Sequence, residues 1–440
     1  MMFQKQFRHF PYLSAGLLFV SSISLCFPAQ PISGAEDAFN SGEKIEISVV
    51  DKPLTEAVLV DMTIKNSRKL QSMSTNVDIA NYRLKSARNI PNPELRLTDI
   101  TTRNYKDDFD ELRIGMRFRL PGLGEMGEDR QDATVSLGEQ KNNELIYRQE
   151  LIADVRRDYF SVILHDKLKE LSEKRVGLED RRIKIIEEMV AVGSRSIVYY
   201  TKAKMRHADS VNDYAREVQS QIEARRKLSR RTGMNIDCPL EETDLPEVAL
   251  GLDRLIEIAC KNRPEIQLVA QRIELAMRQN KREHLKVLPW FNFIELNYHV
   301  EANNKADWGE LMMGIDIPLF NWNRGNIKAA TLAVKKKEIE SDAVKETIGY
   351  EVNAAYTVYR DLLLDWKNFS RESETLIAEA AQVIEQAKQH QTLLMDEVME
   401  MELTILETQE MLAQKKKDLA DALLDLCITV GVEDYATLQN

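Results

Sequence analysis

Two long stretches of the chain repeat apolar residues every three to four positions, which is the period of an amphipathic helix. Both stretches lack proline, the first between Pro121 and Pro239 and the second after Pro318. Proline breaks helix interiors, so its absence favours long helices. A straight helix of about 110 residues would be about 165 Å long. Each stretch is therefore predicted to fold back as a hairpin of two helices. The apolar face of the second stretch comprises Val344, Ile348, Val352, Ala355, Tyr359, Leu362 and Trp366.

Short segments before the two long stretches alternate apolar and polar residues, which predicts β-strands with one apolar and one polar face. In the first segment the apolar positions are Ile114, Met116, Phe118 and Leu120, alternating with Arg113, Gly115, Arg117 and Arg119. In the second they are Trp290, Ile294, Leu296, Tyr298 and Val300, and a further strand is predicted over 311–319. The pattern gives two hairpins, or four strands per chain. Four strands leave exposed edges and cannot close a barrel alone, so closure requires several copies.

The sequence contains an internal duplication, because the same residues recur at a nearly constant separation. Lys65 and Asn66 recur as Lys261 and Asn262, and Pro93 recurs as Pro289. The sequence predicts repeat 1 over 36–233, a connector over 234–252 and repeat 2 over 253–440. Each repeat contains a helix, then a β-hairpin (94–120 or 290–320), then a long helical hairpin (124–232 or 325–431).

The N-terminus has the pattern of an export signal, with Lys5 and Arg8 before an apolar run and small residues at 33–35. We predict that residues 1–35 are removed, the alternative being a retained membrane anchor. Cys26 follows a leucine, which is a poor lipoprotein signal, so lipidation is not expected. Outside this signal no segment has the length and apolarity of a spanning helix, so a membrane crossing would require a closed barrel.

Composition and charge exclude several classes of protein. The chain has 440 residues, 43% of them apolar and 30% charged, with a formal net charge of −11. Ordinary apolar content disfavours disorder, and interleaved charges on an acidic chain argue against a nucleic-acid partner. Cys238, Cys260 and Cys427 are too few for a disulfide framework. The sequence contains no phosphate-binding loop, zinc-protease motif or catalytic cysteine arrangement, so we predict no enzyme activity, cofactor or metal site.

The duplicated plan, the junction Lys286-Val287-Leu288-Pro289 and the stretch GIDIPLFNWNRGNI at 314–327 resemble the TolC-like outer-membrane efflux proteins. The 314–327 stretch is similar to their CzcC-like heavy-metal branch. The resemblance implies a mainly α fold with a β-barrel portion. Three chains would form a twelve-stranded barrel in the outer membrane of a Gram-negative bacterium, continuous with a periplasmic tunnel of helices. It also implies a periplasmic adaptor (membrane fusion) protein, an inner-membrane RND or ABC pump, and outer-membrane lipid as partners.

Within that arrangement the apolar strand faces would meet lipid and the polar faces would line the pore. Opposite charges from the two hairpins are expected to pair across the strands. The segments 102–110 and 302–309 would be external loops. The predicted lumen residues are Arg96, Arg113, Arg117 and Arg119 from the first hairpin and Glu295, His299, Glu301 and Asp316 from the second.

The helical hairpins are predicted to reverse at 192–198 and 391–395. The first segment resembles the tip that faces the adaptor in the family, and Gly193 suits a tight reversal or a close backbone approach. The second lacks a glycine. The predicted adaptor contacts are Gly193, Ser194, Ser196, Thr392 and Leu393.

Family members carry acidic residues just beyond such tips. The corresponding positions are Tyr199 and Lys202 in the first hairpin, which are not acidic, and Glu397 and Glu400 in the second. Residues three apart share a helix face, so three copies would form a ring of six carboxylates that favours cations. We predict a periplasmic gate there, the alternative being a solvated acidic face that includes Asp396 and Glu402.

Three functions are compatible with the sequence. The first is an efflux duct for metal cations or small molecules. The second is the duct of a type I protein secretion system, which uses the same architecture. The third is an exported coiled-coil scaffold without a pore, which would not explain the alternating strand faces.

Overall fold

The computed structural model describes residues 54–100, 111–301, 307–390 and 395–438. The predicted signal at 1–35, Cys26, most of both predicted external loops, and Thr392 and Leu393 of the second tip lie outside these residues.

The described chain contains the same elements in the same order in each half. The first half contains α1 (Glu56–Asn66), α2 (Arg68–Ser86), β1 (Glu94–Ile100), β2 (Glu111–Arg119), α3 (Glu125–Ala191) and α4 (Ile197–Thr232). The second contains α5 (Leu252–Asn262), α6 (Pro264–Leu285), β3 (Trp290–Glu301), β4 (Trp308–Asp316), α7 (Arg324–His390) and α8 (Met395–Val430), followed by a 3-10 turn (Tyr435–Leu438).

The long helices have matched lengths, because α3 and α7 each contain 67 residues and α4 and α8 each contain 36. At 1.5 Å per residue, α3 and α7 are each about 100 Å long. The helices α4 and α8 end at Gly233 and Gly431, both with φ of 75°, the left-handed conformation that glycine adopts readily at a helix end. The folded-back helical hairpins and the duplication predicted from the sequence are confirmed.

The apolar core lies partway along the helical hairpins, where α1, α5 and the connector pack against the long helices. One cluster joins α5, α7 and α8 through Leu255, Val352 and Leu426. A second joins α1, α3 and α4 around Leu59 and Tyr159. Burying these side chains supplies the main driving force for holding the long helices together.

The four strands form one antiparallel sheet in the order β1-β2-β3-β4. Two expectations about it are wrong. First, β4 ends at Asp316 instead of continuing to residue 319, and the backbone of Pro318 has no N–H for a strand ladder. Second, the register shifts between Phe291 and Phe293, which places Trp290 opposite Asp316. The extra residue of this bulge puts Trp290 on the polar face and Phe291 on the apolar one.

The described part of the chain contains no helix with the length and apolarity needed to cross a membrane.

Candidate functional site

The apolar face of the sheet is exposed, and side chains on its polar face are buried. Leu97, Leu296 and Met313 are 67%, 53% and 57% exposed, whereas Glu295 and His299 are 4% and 0% exposed. A water-soluble sheet normally buries its apolar face, and an apolar patch of this extent marks a binding or membrane surface. The exposed apolar set consists of Leu95, Leu97, Ile114, Met116, Phe118, Phe291, Leu296, Tyr298, Leu311, Met313 and Ile315.

Opposite charges pair across the polar face, as the sequence predicts. Glu295 Oε2 lies 3.3 Å from Arg96 Nη1 and 3.9 Å from Arg117 Nε, which links the two hairpins. The Arg117 guanidinium also lies 3.8 Å from the centre of the Phe293 ring.

A second polar group lies nearer the far end of the sheet. His299 Nε2 is 3.2 Å from Glu310 Oε2, and its ring stacks on Trp308 at 3.8 Å between ring centres. The strand register places Arg113 directly opposite His299. Trp308 and Glu310 were not among the predicted lumen residues, although counting back in twos from Asp316 would have found them.

The remaining predicted lumen residues lie at the end of the sheet that connects to the helices. Arg119 is exposed and lies opposite Phe293 in the register. The Asp316 carboxylate accepts a hydrogen bond of 2.9 Å from the Asn292 amide. The side chain of Glu301 lies outside the described residues.

The first helical hairpin reverses through five residues between α3 and α4. Gly193 has a φ of 75°, a conformation that costs other residues about 1–2 kcal/mol. Nothing lies within 4 Å of a Cβ built at this position, so glycine is required for the backbone conformation and not for a close approach. The Ser194 amide donates to the Met189 carbonyl over 2.8 Å and closes the end of α3.

The reversal presents apolar side chains to solvent. Val192, Ile197 and Val198 are 78%, 63% and 72% exposed, and Ser194 and Ser196 are exposed beside them. Exposed apolar residues concentrated at one turn are typical of a contact surface.

A buried ion pair joins α3, α4 and α8 next to this reversal. The Asp396 carboxylate, in a residue only 2% exposed, accepts hydrogen bonds from Arg182 Nε over 2.7 Å and from the Tyr199 hydroxyl over 2.5 Å. The alternative prediction that Asp396 belongs to a solvated acidic face is therefore wrong. Arg182 and Asp396 lie 214 positions apart, so no local pattern pointed to this contact.

The two predicted gate residues have different surroundings. The Glu400 side chain is 54% exposed, and its two oxygens lie 3.5 Å from Arg206 Nη1 and 3.7 Å from Arg182 Nη2. Glu397 is exposed and has no ion pair within the described residues. Lys202 lines a cavity of about 120 Å³ together with Arg182, Arg206 and Glu400.

Burial and hydrogen bonding shift the pKa of Asp396 in opposite directions. Burial raises the pKa of Asp396, but the hydrogen bonds from Tyr199 and Arg182 outweigh it and hold the pKa below its ordinary value of 3.8. The hydrogen bond to Asp396 raises the pKa of the Tyr199 phenol. Burial raises the pKa of Glu179, whose carboxylate lies 3.8 Å from Arg182. Asp396 is therefore the stable carboxylate partner of Arg182.

The described residues contain no group of three or more histidine, cysteine, aspartate or glutamate side chains arranged to hold a metal ion.

The chain is similar in sequence to the cobalt-zinc-cadmium resistance protein CzcC of Cupriavidus metallidurans. The two are 24% identical over 293 residues, which is 66% of this chain and 68% of CzcC. No family model matches the chain.

Solved structures extend the similarity over most of the chain. The outer membrane protein VceC of Vibrio cholerae superposes with a TM-score of 0.67 at 14% identity, covering 86% of this chain and 96% of VceC. The CmeC outer membrane channel of Campylobacter jejuni superposes with a TM-score of 0.65 at 12% identity, covering 86% of this chain and 85% of CmeC.

The chain has the fold of the outer-membrane channels, with long helical hairpins joined to a four-stranded contribution to a barrel. Within this fold class CzcC is a relative in sequence, and the resemblance to TolC-like efflux proteins and their CzcC-like branch is confirmed. Of these relatives, CmeC is described as an outer membrane channel.

Proposed function

We propose that three copies of this chain form the outer-membrane channel of a tripartite efflux system. The observation that carries the proposal is the sheet, whose apolar side chains are exposed while Glu295 and His299 are buried on its other face. That arrangement suits lipid outside and a polar lumen inside. With four strands per chain, three copies supply a twelve-stranded barrel in the outer membrane of a Gram-negative bacterium.

The helices continue the channel on the periplasmic side. All four strands connect to helices at the same end of the sheet, and α3 and α7 extend about 100 Å from it. The first reversal, with Gly193, Ser194 and Ser196, lies at the far end of this pair and offers the exposed apolar contacts that a periplasmic adaptor would bind. An inner-membrane RND or ABC pump would deliver the substrate to this end.

The name of one relative supports the proposed cargo. CzcC is named for cobalt, zinc and cadmium resistance, which favours metal cations, with small molecules as the alternative cargo. The cargo passes through without reaction, and the chain requires no cofactor for this role.

The gate is proposed at Glu397 and Glu400. Arg206 and Arg182 partly compensate the negative charge of Glu400. The Glu397 carboxylate is therefore the one whose charge is less compensated. Three copies of Glu397 would attract cations and narrow the channel mouth. Movement that separates Glu400 from the two arginines would add three further carboxylates to the ring.

Conductance of the purified mature protein in planar bilayers tests this proposal. The wild type is expected to form steady, cation-preferring channels, and Glu397→Gln is expected to reduce that preference. Glu402→Gln is the matched control, because it removes a carboxylate from the same helix outside the proposed ring. Equal effects of the two substitutions would argue against the gate, and a soluble protein that never inserts would refute the channel.

A type I protein secretion duct is the closest alternative, because it would use the same barrel and helices. A non-pore scaffold is the alternative from another class, and the exposed apolar sheet face disfavours it. Transport of metal ions or of a secreted protein into the medium by cells that express the chain and its pump would distinguish the first two.

A further inference from the structure

The sheet is joined to the helices by the segments 87–93, 120–124, 286–289 and 317–323. All of them except 120–124 expose large apolar side chains. Ile90 and Leu288 are 69% and 50% exposed, and Phe320 and Trp322 are 97% and 59% exposed. Exposed apolar side chains grouped in this way mark a surface that another molecule or a membrane covers. They lie between the sheet and the helices.

Basic side chains surround these apolar residues. We define the basic collar as the exposed lysines and arginines in the last two turns of α2 and α6, in the segments that follow these two helices, and in the first two turns of α7. They are Arg83, Lys85, Arg88, Lys281, Lys286, Arg324 and Lys328. Among the described residues, Lys286 is the only collar member that pairs with a carboxylate, that of Glu283. The Lys85 ammonium lies 4.7 Å from the centre of the Tyr82 ring, and the other five have no carboxylate partner within the described residues.

The acidic start of α3 contacts Arg282, which is not a collar residue. Glu125 and Glu128 both lie beside Arg282, with Glu128 Oε2 2.7 Å from Arg282 Nη1. Arg282 therefore compensates one of these two negative charges. Six of the seven collar charges have no carboxylate partner within the described residues, on a chain whose formal net charge is −11.

We propose that the basic collar and its apolar neighbours bind the anionic phospholipid headgroups of the membrane leaflet nearest the helices. Aromatic residues such as Trp322 favour the boundary between acyl chains and headgroups, and lysine and arginine reach from there to phosphate. Each basic residue near an anionic surface strengthens binding about fivefold. This inference rests on the proposed function, because it requires the sheet to lie in a bilayer.

A soluble polyanion fits the collar less well. A periplasmic polymer could bind the lysines and arginines, but it would leave Phe320 and Trp322 in water. A phospholipid covers both kinds of side chain, with its acyl chains on the apolar residues and its phosphate on the bases. The combination selects an anionic lipid over an anionic polysaccharide.

Lipid retention by the detergent-solubilised trimer, measured by native mass spectrometry, tests the proposal. Phosphatidylglycerol and phosphatidylethanolamine with identical acyl chains are titrated separately, so only the headgroup charge differs. Wild-type trimer is expected to retain phosphatidylglycerol at lower concentration, and added salt should weaken this preference because it screens charge. The same spectra report whether each variant remains a trimer.

Two variants with the same charge loss separate the collar from the overall charge. The collar variant is Arg83→Gln/Arg88→Gln/Arg324→Gln/Lys328→Gln. The control is Arg226→Gln/Arg230→Gln/Lys261→Gln/Arg371→Gln, at exposed positions on helical segments remote from the sheet. The collar variant should lose the preference for phosphatidylglycerol by at least tenfold, and the control should keep it. The variant Phe320→Ser/Trp322→Ser should weaken the retention of both lipids to the same extent.

Equal retention of the two lipids by a conducting wild-type trimer would overturn the lipid proposal and leave the proposed channel intact. An equal loss in the collar and control variants would also overturn it, as would displacement of phosphatidylglycerol by soluble peptidoglycan fragments. Absence of both trimer and conductance would instead refute the proposed function on which the inference rests.

Discussion

Replacement of Asp396 by asparagine is expected to loosen the contact between the two helical hairpins at their reversal. The change keeps the shape of the side chain but removes the charge that Arg182 contacts over 2.7 Å, and the Arg182 and Asp396 side chains are only 3% and 2% exposed. Removing one partner of a buried ion pair costs about 3–5 kcal/mol, because the other charge is left buried without compensation. Glu179 and Glu400, at 3.8 and 3.7 Å from Arg182, remain nearby, so we expect the lower value, about 3 kcal/mol.

Hydrogen exchange of peptides that cover the end of α3 and the start of α8 measures this loss locally. A decrease of about 3 kcal/mol in the free energy of local opening raises the exchange rate about 150-fold. Glu397→Gln is the matched control, because it makes the same change at an exposed neighbour, and its exchange should stay within about twofold of wild type. The double substitution Arg182→Met/Asp396→Leu should recover most of the protection. Unchanged exchange in Asp396→Asn would refute the reasoning.

Three further predictions concern acid, the first reversal and the sheet. Because the pKa of Asp396 is lowered in the folded protein, its contribution is complete above its ordinary pKa of 3.8 and is lost as the pH falls through the lowered value. Channel conductance should therefore change below that pH in the wild type and much less in Asp396→Asn. Gly193→Ala should destabilise the reversal by about 1–2 kcal/mol through its positive φ, measured by hydrogen exchange. In contrast, Gly177→Ala in α3, where nothing lies within 4 Å, should stabilise the helix by about 1 kcal/mol. Met313→Lys, on the exposed apolar face, should cost about 2–4 kcal/mol in the bilayer and reduce insertion, whereas Met312→Lys on the polar face should insert normally. Equal insertion of the two lysine variants would contradict the assignment of the faces.

The fold was predictable because its strongest signals are local or periodic. The absence of proline and the recurrence of apolar residues about every 3.6 positions indicate the long helices. The recurrence of the Lys65-Asn66 pair at residues 261 and 262 indicates the duplication. Alternation indicates the strands, because a strand places successive side chains on opposite faces. Each of these patterns can be detected within one segment or by comparing two segments.

The errors arise where one residue changes the geometry or where distant segments meet. The bulge at 291–293 moves Trp290 to the polar face, and alternation cannot locate a bulge because it assumes a constant period. The Trp290 indole then donates to the Pro121 carbonyl over 2.9 Å, a contact between the two repeats. The ion pair of Arg182 with Asp396 likewise depends on how separate helices pack. Such contacts are consequences of the tertiary structure, and the local sequence does not contain them.

The duplication itself explains the chemistry of the reversal. Tyr199 and Asp396 are the third and second residues of α4 and α8, so the repeat brings nearly equivalent positions into contact. Identical carboxylates at those positions would repel each other, and identical phenols would leave Arg182 with only the more distant carboxylates of Glu179 and Glu400. The contact therefore requires the two repeats to differ here, with a hydrogen-bond donor in one and an acceptor in the other. The departure of Tyr199 from the acidic pattern of the second hairpin is thus the feature that allows Asp396 to be buried with Arg182, while Glu397 remains exposed for the proposed gate.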